Sequence, residues 1–143
     1  MPNSSEKFEP ARLALDFFVK NGWSKEQAAG LVANIEAESE FNPRAVGDAG
    51  AAFGICQWHA DRQAAYRDAF GSSIRDADYA AQLRFVTFEL INGEKHAGDV
   101  LRSVDTAERA GEVVCTLYER PNDPDGNVRR SRGARARDWF EVL

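Results

Sequence analysis

Ser24 and Gln27 open the most sharply specified helix in the chain, and the way that helix closes constrains what surrounds it. A Ser followed three residues later by Gln is a capping box, in which two side chains satisfy backbone N–H groups that a first turn leaves unpaired. From Lys25 to Ser39, apolar residues then recur at helical spacing: Ala28, Leu31, Val32 and Ile35. The same segment ends in Glu36, Glu38 and Glu40. Negative charge at a helix C-terminus opposes the macrodipole. Such a cluster is either solvated or met by something that compensates it, and local rules fail most often at functional sites.

At about 100° per residue, the apolar stripe centres near Ala28 and Ile35. Glu40 points well away from it and reads as a solvated acid. Glu38 lies on one margin, beside Leu31, and Glu36 on the other, so periodicity slightly favours Glu38 as the half-buried one. Removal from water disfavours the charged form of a carboxyl. A carboxylic acid that keeps its proton can donate to a leaving-group oxygen. Glycoside hydrolysis needs such an acid beside the scissile bond, with a second carboxylate in its retaining and inverting schemes.

The next segment offers that second carboxylate. Residues 44–57 carry Gly47, Gly50 and Gly54 among small side chains, which predicts a loop or small hairpin. Asp48 sits among small neighbours that would let a polymer approach the backbone. Gln57, Trp58 and His59 add an amide, an aromatic face and an imidazole, and Arg62 follows. Trp58 is equally a core residue or a sugar platform. His59 reads as a surface or structurally bonded histidine, because no Ser or Cys stands in a recognisable activating context. Arg62 could simply pair with a nearby acid.

The rest of the chain is helical. A first helix is expected after Pro10, with Leu13, Phe17 and Phe18 as its apolar stripe, stopping near Asn21-Gly22. Residues 61–70 read as helix. Asp76 is expected to cap a helix reaching about Asn92, and Asp105 one that Pro121 halts. A last helix carries Arg129, Arg130, Arg132, Arg135 and Arg137 without an intervening acid. That run reads as a solvated face, or as a patch for an anionic partner. The expected organisation is a loose segment, 1–9, and one mainly α domain, 10–143, with a small loop or hairpin lobe flanking a cleft.

Composition excludes several classes. A net charge of −5 argues against general nucleic-acid binding, which needs a basic surface. The run "LALDFFV" is broken by Asp16 and falls short of the roughly 20 residues a membrane span needs, so no membrane insertion is expected. Nor does the start resemble a signal peptide. Cys56 and Cys115 have no metal spacing and read as buried thiols, although their even number leaves a disulfide open. No cofactor is expected.

The ordered motif Glu38-Ser39, Phe41-Asn42-Pro43, Gly47-Asp48-x-Gly50, Gly54-Ile55-x-Gln57-Trp58 and Arg62 resembles the phage tail lysozyme family. That family belongs to the lysozyme-like group with goose-type lysozymes and lytic transglycosylases. "LYERPNDPDG" resembles its closing helix and turn, and the likeness covers roughly residues 10–140. The resemblance implies a lysozyme-like fold, peptidoglycan as substrate, and cleavage of the β-1,4 bond between N-acetylmuramic acid and N-acetylglucosamine. It implies Glu38 as general acid and Asp48 as second carboxylate. Ser39, Gln57, Trp58, Arg62, Tyr118 and Glu119 would orient groups or contact substrate. Hydrolysis and transglycosylation both remain open, as does a non-catalytic wall-binding or particle-docking role. Action in a target cell's periplasm is expected, after delivery by a phage particle or by a contractile secretion apparatus. In the second case an immunity protein would be a partner, and a Cys56–Cys115 disulfide would suit the destination.

Overall fold

The structure, a computed structural model, describes residues 4–143. Seven helices pack with a two-stranded lobe: α1 (Ser4–Lys20), α2 (Lys25–Ser39), β1 (Val46–Gly47), β2 (Ala52–Phe53), α3 (Ala60–Phe70), α4 (Tyr79–Ile91), α5 (Lys95–Arg102), α6 (Ala107–Val113) and α7 (Asn127–Val142). The mainly α expectation and its small lobe are both present. Residues 1–3 of the segment expected to be loose lie outside the described residues, and from Ser4 onward that segment is helix. Pro10 therefore sits inside α1 and does not open it. Its carbonyl accepts a hydrogen bond from Tyr79 Oη at 2.7 Å, which ties α1 to α4. The buried face of α1 runs through Ala11, Ala14, Leu15 and Phe18, leaving Leu13 at 55 % exposure outside the core.

α2 begins as its sequence dictates. Ser24 Oγ accepts from the Gln27 N–H, and Gln27 Oε1 accepts from the Ser24 N–H. Its middle departs from the amphipathic reading, because every residue from Gln27 to Glu36 is buried. An element buried all round is the centre of a bundle. α1, α6 and α7 surround α2, and small residues allow the approach. A Cβ on Gly30 would lie 2.5 Å from the Ala110 carbonyl carbon, and one on Gly111 would lie 2.6 Å from the Arg132 carbonyl oxygen. Asn34 joins α2, α6 and α7. Its Nδ2 donates to the carbonyls of Gly30 and Gly111, and its Oδ1 accepts from Arg132 Nη1.

The remaining elements differ in detail from expectation. Asp78, not Asp76, caps α4, and Thr106, not Asp105, caps α6. Side-chain geometry decides both: each true cap sits where its oxygen reaches the N–H three residues on, at Ala81 and Arg109 respectively. α5 is a helix the sequence reading did not identify. Beyond α6 the chain widens into a π-helical turn, Val114–Glu119, closed by Arg120 in the left-handed region at φ 54°. Such turns recur at functional sites. Asp123 then accepts from the N–H groups of Val128 and Arg129 and caps α7.

α7 does not present a uniformly solvated arginine face. Arg132 and Arg135 turn inward to the end of α2, and Arg137 pairs with Glu108 at 3.1 Å. Glu36 is correspondingly the most buried of the three acids, 6 % exposed. It accepts from Arg135 Nε at 2.7 Å, Trp139 Nε1 at 2.9 Å and Lys7 Nζ at 3.0 Å. Burial by itself would raise this carboxyl, but those three hydrogen bonds and the Arg135 charge bring it from 4.5 down to about 2.

Two outcomes follow from this packing. The folded value of Glu36 lies below its ordinary one, so its stabilisation is complete above the usual carboxylate range and disappears as pH falls toward about 2. In urea titrations across pH, Glu36→Gln is expected to be less stable than wild type at neutral pH by on the order of 3 kcal/mol, with the gap closing in acid. A gap independent of pH would contradict the assignment. Gly30→Val is expected to lower stability by about 1–3 kcal/mol through overpacking against α6; an unchanged urea midpoint would show that α6 yields freely.

Candidate functional site

Glu38 leaves the last turn of α2 on the side away from Glu36. Its side chain is 18 % exposed, and Oε2 lies 2.9 Å from Arg132 Nη1. The helix stops immediately beyond it. Glu40 and Phe41 adopt left-handed conformations at φ 51° and 65°, which turns the chain into the lobe. Glu40 remains at the surface, with a long 3.8 Å contact to Lys7. The directions read from helical periodicity therefore hold for Glu38 and Glu40, while Glu36 is buried beyond expectation.

Glu38 helps to line a cleft of about 530 Å³. Asp48, Gln57 and His59 reach it from the lobe, Arg62 from α3, and Glu119 from the end of the π-helical turn. The lobe holds its shape through local geometry. Asp48, Ala49 and Gly50 are consecutive left-handed residues, at φ 48°, 56° and 96°, and they turn β1 back onto β2. Left-handed backbone is costly for a residue with a Cβ, and such strain collects at functional sites. Asp48 Oδ2 lies 2.9 Å from His59 Nε2, and both side chains are more than half exposed. Gln57 Nε2 donates to the carbonyls of Ala45 and Gly54, so its amide braces the lobe from the cleft wall. Gly54 has no space for a side chain, since a Cβ there would come within 2.9 Å of the Trp58 ring.

Three of the expected substrate contacts fall elsewhere. Trp58 is fully buried, and its indole N–H donates to Glu89 Oε1 at 2.8 Å, so it is core and not a sugar platform. Tyr118, 1 % exposed, donates its hydroxyl to the same oxygen. Ser39 Oγ donates back to the Ile35 carbonyl at 3.0 Å and is spent on its own helix. Cys56 and Cys115 are separate buried thiols, not a disulfide.

Beneath the cleft lies a residue that sequence reasoning missed. Glu89, 4 % exposed, gathers Trp58, Tyr118 and Arg62. Arg62 Nε meets Oε2 at 2.7 Å and Nη2 meets Oε1 at 2.8 Å, a bidentate pair. Arg62 also donates to the Tyr118 carbonyl, and its guanidinium lies 4.5 Å from the Tyr118 ring centre. The available signal was an acid embedded in the apolar run "RFVTFELI", where an unpaired charge could not be buried.

Glu119 is the most unusual wall residue. Its Oε2 is sealed from solvent and has no hydrogen-bond partner. Burial pushes its carboxyl well above the usual range; the negative charge of Glu38 adds to that, and Arg62 and Arg132 oppose it. Two acids in unlike surroundings thus share one cavity, an arrangement suited to acid catalysis. A larger groove, about 810 Å³, runs between α6 and α7 with Phe140 and Ala107 in its wall. It lacks a comparable convergence of buried carboxyl and guanidinium groups, so the smaller cleft is the candidate site.

The pattern that defines phage tail lysozymes matches residues 9–143. The chain belongs to the phage tail lysozyme family. Among its relatives is Morphogenesis protein 1 of Bacillus phage B103, 26 % identical over 153 residues that include 93 % of this chain. The match covers 39 % of that relative's length. Membership supports a lysozyme-like, peptidoglycan-related function at the level of the family. Among the described residues, no helix of this lysozyme domain is long and apolar enough to cross a membrane.

The support under the cleft has a measurable cost of removal. Glu89→Ala is expected to destabilise the domain by about 3–5 kcal/mol, because it leaves the Arg62 charge buried without its partner. Urea denaturation checks this; a loss below about 1 kcal/mol would mean that Arg62 finds water or another acid.

Proposed function

We propose that the chain is a muramidase that cuts the β-1,4 bond between N-acetylmuramic acid and N-acetylglucosamine, with Glu38 as general acid. The observation that carries this reading is the half-buried carboxyl of Glu38 in a cleft wall, at the end of a helix buried throughout from Gln27 to Glu36. Preorganised placement is what proton donation requires. A glycan strand lying in the cleft would bring its bridging oxygen to Glu38, on the side not taken by Arg132. Asp48, exposed on the opposite lobe, is then available to steady positive charge at the sugar carbon or to orient a water. Gln57 and Arg62 shape the wall along which the strand lies.

Particle-borne delivery fits the B103 relative, which is named a morphogenesis protein. The expectation of a secreted antibacterial effector with an immunity partner has no comparable support.

Purified sacculi test the assignment. Glu38→Gln is expected to cut release of soluble muropeptides by about 10²–10⁴-fold while the melting temperature stays near that of wild type. Retained release would remove Glu38 from the role. Sacculus binding by wild type without any release would favour a wall-binding domain instead.

A further inference from the structure

The cleft is lined by two carboxyls, Asp61 and Glu119, beyond the two that acid donation and charge stabilisation require, and only Glu119 has an oxygen sealed from solvent. Glu38 is held by Arg132 at 2.9 Å. A general acid must carry a proton when the bond breaks. Glu119 stands in the same cavity with one oxygen buried and unpartnered. In a carboxylate that sealed oxygen would forgo both solvent and hydrogen bonds, whereas a neutral acid costs less there.

The groups around Glu119 come from every neighbouring element. Glu38 faces it from α2, Arg62 from α3, Glu89 from α4 and Arg132 from α7. Cys56 of the lobe, with Cys115 and Tyr118 of its own turn, also feel its charge. Arg62 is already committed to Glu89, and Arg132 to Glu38 and Asn34. Among the described residues, no cation is hydrogen-bonded to Glu119.

We propose that Glu119 is a positioning residue that shares one proton with Glu38 and holds it in the resting site. This rests on reading Glu38 as the general acid. With glycan bound, the proton passes from Glu119 to Glu38 through water in the cleft, the O–H bond of Glu119 breaking as that of Glu38 forms. Glu38 then gives the proton to the bridging oxygen, which also takes the electron pair of the breaking carbon–oxygen bond. In the hydrolytic case, the water that adds to the sugar carbon releases one proton to solvent, and solvent returns one to the carboxyl pair.

The test is the pH dependence of kcat/KM on sacculi for wild type, Glu119→Gln and Glu119→Asp. Glutamine keeps the shape of the neutral acid but stores no proton. Its alkaline limb is expected to move toward acid by about one pH unit or more, whatever happens to the plateau, and aspartate is expected to restore part of the shift. A wild-type limb in Glu119→Gln, or a uniform fall at all pH with a lowered melting temperature, would overturn the proposal. If Glu119→Gln does not fold, carboxyl ¹³C titration of wild type decides: one glutamate must remain protonated through neutral pH, and its absence overturns the idea. Glu38→Gln separates the two failures. Activity retained there sinks the general-acid reading itself, whereas an inactive Glu38→Gln beside an unshifted Glu119→Gln sinks only the shared proton.

Discussion

A helix buried on all sides cannot end in neighbouring carboxylates unless cations meet them, and α7 supplies two guanidinium groups one turn apart. Arg135 takes Glu36 and Arg132 takes Glu38. Their reach is set by the glycine contacts that bring α2, α6 and α7 together, because a Cβ at Gly111 would push against the Arg132 backbone. The charge problem posed by the end of α2 and the packing of the bundle thus have one solution. Without α7 the end of α2 would have to turn toward water, and the wall of the cleft would turn with it.

The same pairing gives identical side chains different properties. Glu36 is enclosed by Arg135, Trp139 and Lys7 and is a fixed carboxylate. Glu38 has one cation and an open edge. Glu40 is at the surface, while Glu119 lines the cleft with one oxygen sealed and unpartnered. Environment, not chemistry, separates anchor, donor and store. Glu89 does the corresponding work one layer down, where it holds Arg62, Trp58 and Tyr118 as a floor that cannot rotate. Rigidity beneath the cleft and an exposed lobe opposite it suit a site that must receive a polymer and still hold a proton donor in place.

Much of this was legible in residue order, and the parts that were not share a cause. The capping box fixed the start of α2, and the bounds Lys25–Ser39 follow from local rules. Glycine spacing announced the lobe. Pro10 misled because proline favours a first turn, yet here Tyr79 from a distant helix secures the backbone around it. α5 escaped notice because eight residues with few apolar positions carry little periodic signal. The arginine run read as a solvated face because composition says nothing about direction; only tertiary packing turns Arg132 and Arg135 inward. Trp58 could be core or platform until Glu89 was seen beneath it. Periodicity ranked Glu38 above Glu40 correctly, but it could not reveal that Glu119, remote in sequence, completes the same cavity.

The claim on which the functional account depends is that this cleft breaks glycan strands at muramic acid. Mass spectrometry of the fragments released from purified sacculi addresses it directly. The account requires soluble muropeptides whose newly formed end is N-acetylmuramic acid, as the reducing sugar after hydrolysis or as the anhydro form after transglycosylation. Fragments ending in reducing N-acetylglucosamine, cuts confined to the peptide stems, or sacculi left intact would contradict it.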